Sequence, residues 1–109
     1  MRDANNSFVV IFPDGYDAYV EHEHYCKGFL GDVFVRFSDG TQYELFFIDI
    51  TRLQQDLHSR TERGNKFFAQ PNMIVLTEIT TDNIKNAVTE LVKQEFFSTL
   101  GPEIDQVEP

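Results

Sequence analysis

Basic residues are scarce in this chain. Nine Lys and Arg stand against eighteen Asp and Glu, a formal net charge of −9. Contact with nucleic-acid phosphates needs a basic surface, so binding to DNA or RNA is disfavoured. Cysteine is nearly absent too. The single Cys26 excludes an internal disulfide framework and fits a reducing compartment. No apolar run approaches the ~20 residues of a membrane span, and the polar start Met-Arg-Asp-Ala-Asn-Asn-Ser has no signal-peptide core. We therefore expect a cytoplasmic protein with no membrane partner. No glycine-rich phosphate loop occurs, because Gly28, Gly31 and Gly64 are too scattered. Tryptophan is missing, but eleven Phe and four Tyr supply apolar volume for a core.

What is present is unevenly placed. Residues 1–50 hold nine acids and three bases, a balance of −6. Residues 51–100 hold six of each, and residues 101–109 add three acids and no base. Self-repulsion destabilises a compact chain, so folding does not call for this excess. It points to solubility or to a basic partner. At 109 residues the chain is one domain, 1–109, able to bury about two-thirds of its unfolded surface. Residues 1–6 and 103–109 are expected to fray.

Phe8-Val9-Val10-Ile11-Phe12, stopped by Pro13-Asp14-Gly15, reads as a buried strand. Residues 16–26 alternate and read as a half-exposed strand. Ala18, Val20, His22, His24 and Cys26 would share one face, and Asp17, Tyr19, Glu21, Glu23 and Tyr25 the other. Ser38-Asp39-Gly40 joins two alternating runs. A three-residue loop with Gly40 in a bulge pairs Val35 with Tyr43 and Val33 with Leu45, gathering Val33, Val35, Phe37, Tyr43, Leu45 and Phe47 on one face. A two-residue loop would scatter them. Residues 49–63 read as a half-buried helix, capped by Thr51 or by Asp49, with Asp56 and Arg60 able to pair. Phe67 and Phe68 form a short strand or ordered loop. Met73-Ile74-Val75-Leu76 reads as a central strand buried on both faces. Residues 82–97 carry one apolar helix face, Ile84, Ala87, Val88, Leu91, Val92 and Phe96, after a cap at Thr80 or Thr81. The expected fold is α+β: a mostly antiparallel sheet of four to six strands packed against two helices as a two-layer sandwich.

Three groups of residues are candidates for function. His22, His24 and Cys26, on one side of a strand, could hold zinc, though no partner segment supplies further ligands. Neither they nor Glu21 and Glu23 form a recognisable catalytic set, so we expect no enzyme activity and no cofactor. Arg52, Arg60, Arg63 and Lys66 form a basic patch that Asp56 and Glu62 dilute, read as a solvated helix face. Asp14, Asp17, Glu21 and Glu23 interleave with Tyr16, Tyr19 and Tyr25. Tyrosines anchor interfaces and carboxylates steer basic partners. The partner-binding set is thus Asp14, Asp17, Tyr19, Glu21, Glu23 and Tyr25.

The run Pro71-Asn72-Met73-Ile74-Val75-Leu76-Thr77-Glu78-Ile79, then Asn83-Ile84 to Leu91, then Phe96-Phe97 and Leu100 before Pro102, resembles the ending of small acidic immunity proteins. Those proteins guard bacteria against their own contact-dependent or polymorphic toxins. The shared positions are core positions, and they carry no functional residue across. The resemblance implies a cytoplasmic inhibitor that blocks the active site of a basic toxin such as a nuclease domain. A core large enough to stand alone leads us to expect a monomer or weak dimer. The competing readings are a small metal-binding or enzyme domain built on His22, His24 and Cys26, and an acidic adaptor subunit.

Overall fold

A computed structural model of the protein describes residues 7–100. The expected fraying of the two ends and the acids of the tail lie outside the described residues.

The hairpin organises the sheet. β2 (Phe29–Phe37) and β3 (Gln42–Asp49) pair antiparallel, with Val35 opposite Tyr43 and Val33 opposite Leu45. This is the register of the bulged loop. Gly40 sits at φ +92°, a left-handed conformation that favours glycine, and its N–H donates to the Phe37 carbonyl at 2.9 Å. All six residues predicted to share the inner face are buried. The β2–β3 register also shifts between Leu30 and Val33, where Asp32 has φ +59°. Such a bulge re-aims side chains, and here Leu30 and Val33 are both buried despite their odd spacing.

β1 (Phe8–Ile11) adds antiparallel to β2, and β4 (Met73–Leu76) adds parallel to β3, giving the order β1-β2-β3-β4. The sheet is therefore four-stranded, mixed and mostly antiparallel. The two continuous apolar runs prove to be its edges, not its buried centre. Val9 is 55% exposed and Val75 45% exposed, because both lie on the outer face.

The inner face is covered by α3 (Thr81–Lys93) and a following 3-10 turn (Phe96–Thr99). Ile84, Val88 and Phe97 join the strand residues in the core, with Leu91 and Val92 half-buried against it. The Phe97 ring lies 5.1 Å from Tyr43 and 5.5 Å from Phe37. Each such fully buried side chain contributes about 1.5–3 kcal/mol. Thr80 caps α3 by accepting from Asn83 N–H at 3.0 Å. Glu95, at φ +57°, interrupts the chain before Phe96, so the helix expected over 82–97 ends early.

α2 (Ile50–Glu62) leaves β3 at Asp49, whose carboxylate accepts from Arg52 N–H at 2.7 Å. Asp49, rather than Thr51, is the cap. Asp56 pairs backwards with Arg52, at 2.9 Å, not forwards with Arg60. Phe67 and Phe68 lie in irregular chain. The largest departure is residues 16–26. The expected strand is a helix, α1 (Ala18–Lys27), so three helices accompany the sheet instead of two. Among the described residues, no helix is long and apolar enough to cross a membrane.

Candidate functional site

α1 is defined at its ends. The Asp17 carboxylate accepts from Val20 N–H at 3.0 Å, satisfying a donor that the helix start leaves unpaired. Glu21 lies in the first turn, and His24 and Lys27 in the last, as the helix dipole favours. Gly28 closes the helix at φ +84°, its N–H donating to the His24 carbonyl at 2.8 Å. The alternation of acids with tyrosines and histidines imitates a strand. The signals that outweigh it are Asp17 before the segment and Gly28 after it.

A helix turns about 100° per residue, so the side chains grouped on one strand face are dealt out around the axis. Tyr19 and Glu23, one turn apart, point outward together, and Tyr19 is 72% exposed. Tyr25 is 43% exposed and stands to the side, its ring 6.2 Å from His22. Tyr25, His22, Ala18, Glu21 and Thr80 line a shallow recess of about 370 Å³. Asp14 is exposed in the turn ahead of the helix, and Asp17 is exposed while capping.

Glu21 faces the other way. Its carboxylate accepts from Thr81 N–H at 2.8 Å, capping the start of α3. It is half-buried and ties two helices together, so the expectation that it shares an open face with Glu23 is corrected. Beside it, Thr81 Oγ1 donates to the Tyr16 hydroxyl at 3.3 Å, and the Tyr16 ring stacks on Phe12 at 4.6 Å. Burial raises the Tyr16 phenol above its ordinary value of 10.0. The Thr81 hydrogen bond works against that rise, and the Glu21 charge adds to it.

The His22, His24 and Cys26 set does not converge. Cys26 Sγ lies 3.5 Å from His22 Nε2 one turn away, while His24 Nδ1 lies 2.9 Å from the Phe29 carbonyl. The shared face required by the metal reading belonged to the strand that is absent. Among the described residues, no group of three or more His, Cys, Asp or Glu is placed to hold a metal ion.

Four of the six predicted partner-binding residues, Asp14, Tyr19, Glu23 and Tyr25, remain exposed, Tyr25 with its ring against His22. Asp17 and Glu21 have structural duties as caps. No protein-family model, curated protein or solved structure matches the chain.

Proposed function

We propose that the protein is an immunity protein, a stoichiometric inhibitor that docks α1 and the turn before it onto a basic toxin domain. One observation carries the reading. α1 buries none of its side chains fully, and it displays Tyr19, Glu23 and Tyr25 from the half of the chain whose charge balance is −6. Exposed tyrosines flanked by carboxylates supply the two things such an interface needs. The rings anchor contact area at little entropic cost, and the charges steer a basic partner. An interface of standard size takes about 800 Å² per partner, which the helix with neighbouring loops can offer. On a nuclease toxin, these carboxylates would occupy the place of substrate phosphates. Inhibition by occlusion needs no catalysis by the inhibitor and no bound cofactor.

The test begins with capture of the partner from the producing strain and its identification by mass spectrometry. Association of the purified pair is then timed against salt. Wild type should associate quickly, at up to about 10⁸–10⁹ M⁻¹s⁻¹ at low salt, and slow as salt rises. Asp14→Lys with Glu23→Lys should lower that rate while leaving folding intact. Glu21 is unsuitable for reversal because it caps α3. An unchanged rate in the double variant, or a partner with no growth-inhibiting activity, would overturn the proposal.

A further inference from the structure

The outer face of the sheet carries a feature opposite in sign to the rest of the molecule. An open cleft of about 300 Å³ lies between α2, the outer face of β2 and β3 at Phe29 and Phe46, and the chain leading to β4. Phe29 and Phe46 stand at its sheet side, their rings 6.1 Å apart and inclined by 28°. Phe68 stands at its loop side, with the Arg60 guanidinium 4.8 Å over its ring. Arg52 covers Phe29 in the same way, also at 4.8 Å.

Among the described residues, the charge of the cleft is not cancelled. Asp56 is taken by Arg52, and the Arg52 Nη1 also donates to the Lys27 carbonyl at 3.0 Å. Glu62, the other acid of α2, lies 3.3 Å from His58. Among the described residues, neither Arg60 nor Arg63 is ion-paired with a carboxylate, yet both line the cleft. Ser59 and Gln70 line it too and add neutral hydrogen-bonding groups. Such guanidiniums in a protein of net charge −9 are conspicuous, because acids to pair with them are plentiful.

We infer that this cleft binds a small phosphate monoester carrying a flat, apolar group. A monoester bears a charge of about −1.5 to −2 near pH 7, which the two guanidiniums of Arg60 and Arg63, without a carboxylate among the described residues, match. Its three terminal oxygens accept bidentate bonds from Arg forks and single bonds from a hydroxyl or amide. A carboxylate has one charge and two oxygens, and would leave part of the cleft unanswered. The apolar group packs against Phe46 and the flat guanidinium planes that cover Phe29 and Phe68, and clefts for small ligands begin at about 300 Å³. This site is separate from α1 and does not depend on the toxin reading.

The experiment is an amide-resolved NMR titration of the full chain at fixed ionic strength with inorganic phosphate, phenyl phosphate, adenosine monophosphate and benzoate. The two esters should shift the amides around Ser59, Arg60, Arg63 and Gln70 saturably. Inorganic phosphate should bind more weakly, and benzoate weakest. The ratio of the two esters distinguishes an aryl from a nucleoside ligand. Arg63→Gln should weaken ester binding by about tenfold or more, the loss expected for one charge-assisted hydrogen bond. Arg60→Lys keeps the charge and removes the fork, so it should weaken the esters while the folded spectrum persists. No saturable shift in the millimolar range, benzoate binding as well as phenyl phosphate, or unaltered binding in Arg63→Gln would each overturn the assignment.

Discussion

Helices α1 and α3 meet where Glu21 caps Thr81, but different physics holds each in place. Their starts are alike. Asp17 and Thr80 each accept from the N–H three residues on, at 3.0 Å. Beyond that first turn they diverge. α3 sinks Ile84 and Val88 into the core and packs Leu91 and Val92 against it. α1 has no fully buried residue, and at ten residues it is shorter than an isolated helix needs to be stable in water. It is kept by contacts at its rim: the Asp17 cap, the Gly28 terminus, His24 on the Phe29 carbonyl, and Arg52 on the Lys27 carbonyl. Held by its ends and by Glu21 on one side, the helix leaves its outward side, with Tyr19 and Glu23, free for display. That is why α1, and not the better-packed α3, is the candidate docking surface.

The sharpest way to break this contrast is to truncate one large side chain in each helix. Ile84→Ala should cost about 2–5 kcal/mol, the range for deleting a buried aliphatic side chain. Tyr19→Ala should stay within about 0.5 kcal/mol of wild type, as exposed substitutions do. Urea midpoints at unchanged slope would measure both. A large loss from Tyr19→Ala would mean that α1 is packed after all.

Gly28→Ala comes next. The position is left-handed, and an added Cβ would lie 2.8 Å from Arg52 Cβ and 3.0 Å from the Asp49 carboxylate. The left-handed strain of about 1–2 kcal/mol and overpacking of about 1–3 kcal/mol give a loss of roughly 2–5 kcal/mol. Here the cap of the lightly packed helix should rival a core residue, because it is wedged against Asp49, the cap of α2, and against Arg52. A loss under about 0.5 kcal/mol in the same urea assay would show that the α1–α2 junction can yield.

The two helices also differ in how far the sequence disclosed them. α3 was legible because Ile84, Val88, Leu91 and Val92 repeat at helical spacing after a threonine cap. The hairpin was legible because only one loop length gathers Val33, Val35, Phe37, Tyr43, Leu45 and Phe47 on one face. α1 has no apolar period to read. Its acids and aromatics alternate, and only Asp17 and Gly28 betray the helix. Of the proposed docking residues, the exposed tyrosines and Glu23 were visible as chemistry, but their arrangement was not. The runs at Phe8 and Met73 announce strands without announcing their place, since strand order comes from pairing partners far along the chain. The arginine cleft was hidden for a similar reason. Phe29, Phe46 and Phe68 come from three separate segments, and the pairing of Asp56 with Arg52 left Arg60 without the partner that spacing alone offers.

A finer test compares the caps. Asp17→Ala and Thr80→Ala each remove one side-chain cap, worth about 0.5–2 kcal/mol. Thr80→Ala should appear as a loss of global stability, because α3 cannot open without exposing the core. Asp17→Ala should appear mainly as faster amide exchange within residues 18–27, with a smaller change in the global midpoint. Native-state hydrogen exchange separates the two. Equal exchange rates in α1 of both variants would mean that the helices open as one unit through Glu21 and Thr81.

The smallest expected effect lies at that same contact, in alkaline solution. Burial holds the Tyr16 phenol above 10.0 in the folded protein, and the Glu21 charge adds to the rise despite the hydrogen bond from Thr81. In the unfolded chain the phenol titrates near 10. Between those two values the unfolded state has released a proton that the folded state retains. Stability therefore falls as pH rises from about 10 through the folded value, and the loss is complete above it. Tyr16→Phe removes this contribution, so its stability should decline less steeply than that of wild type above pH ~10, and the two slopes should match below it. Denaturant midpoints across that range give the comparison. The difference should be small, because Tyr16 is only half-buried, but its sign is fixed. Parallel curves above pH ~10 would show that α1 and α3 do not shield this phenol, and that their junction is held by the Glu21 carboxylate on Thr81 alone.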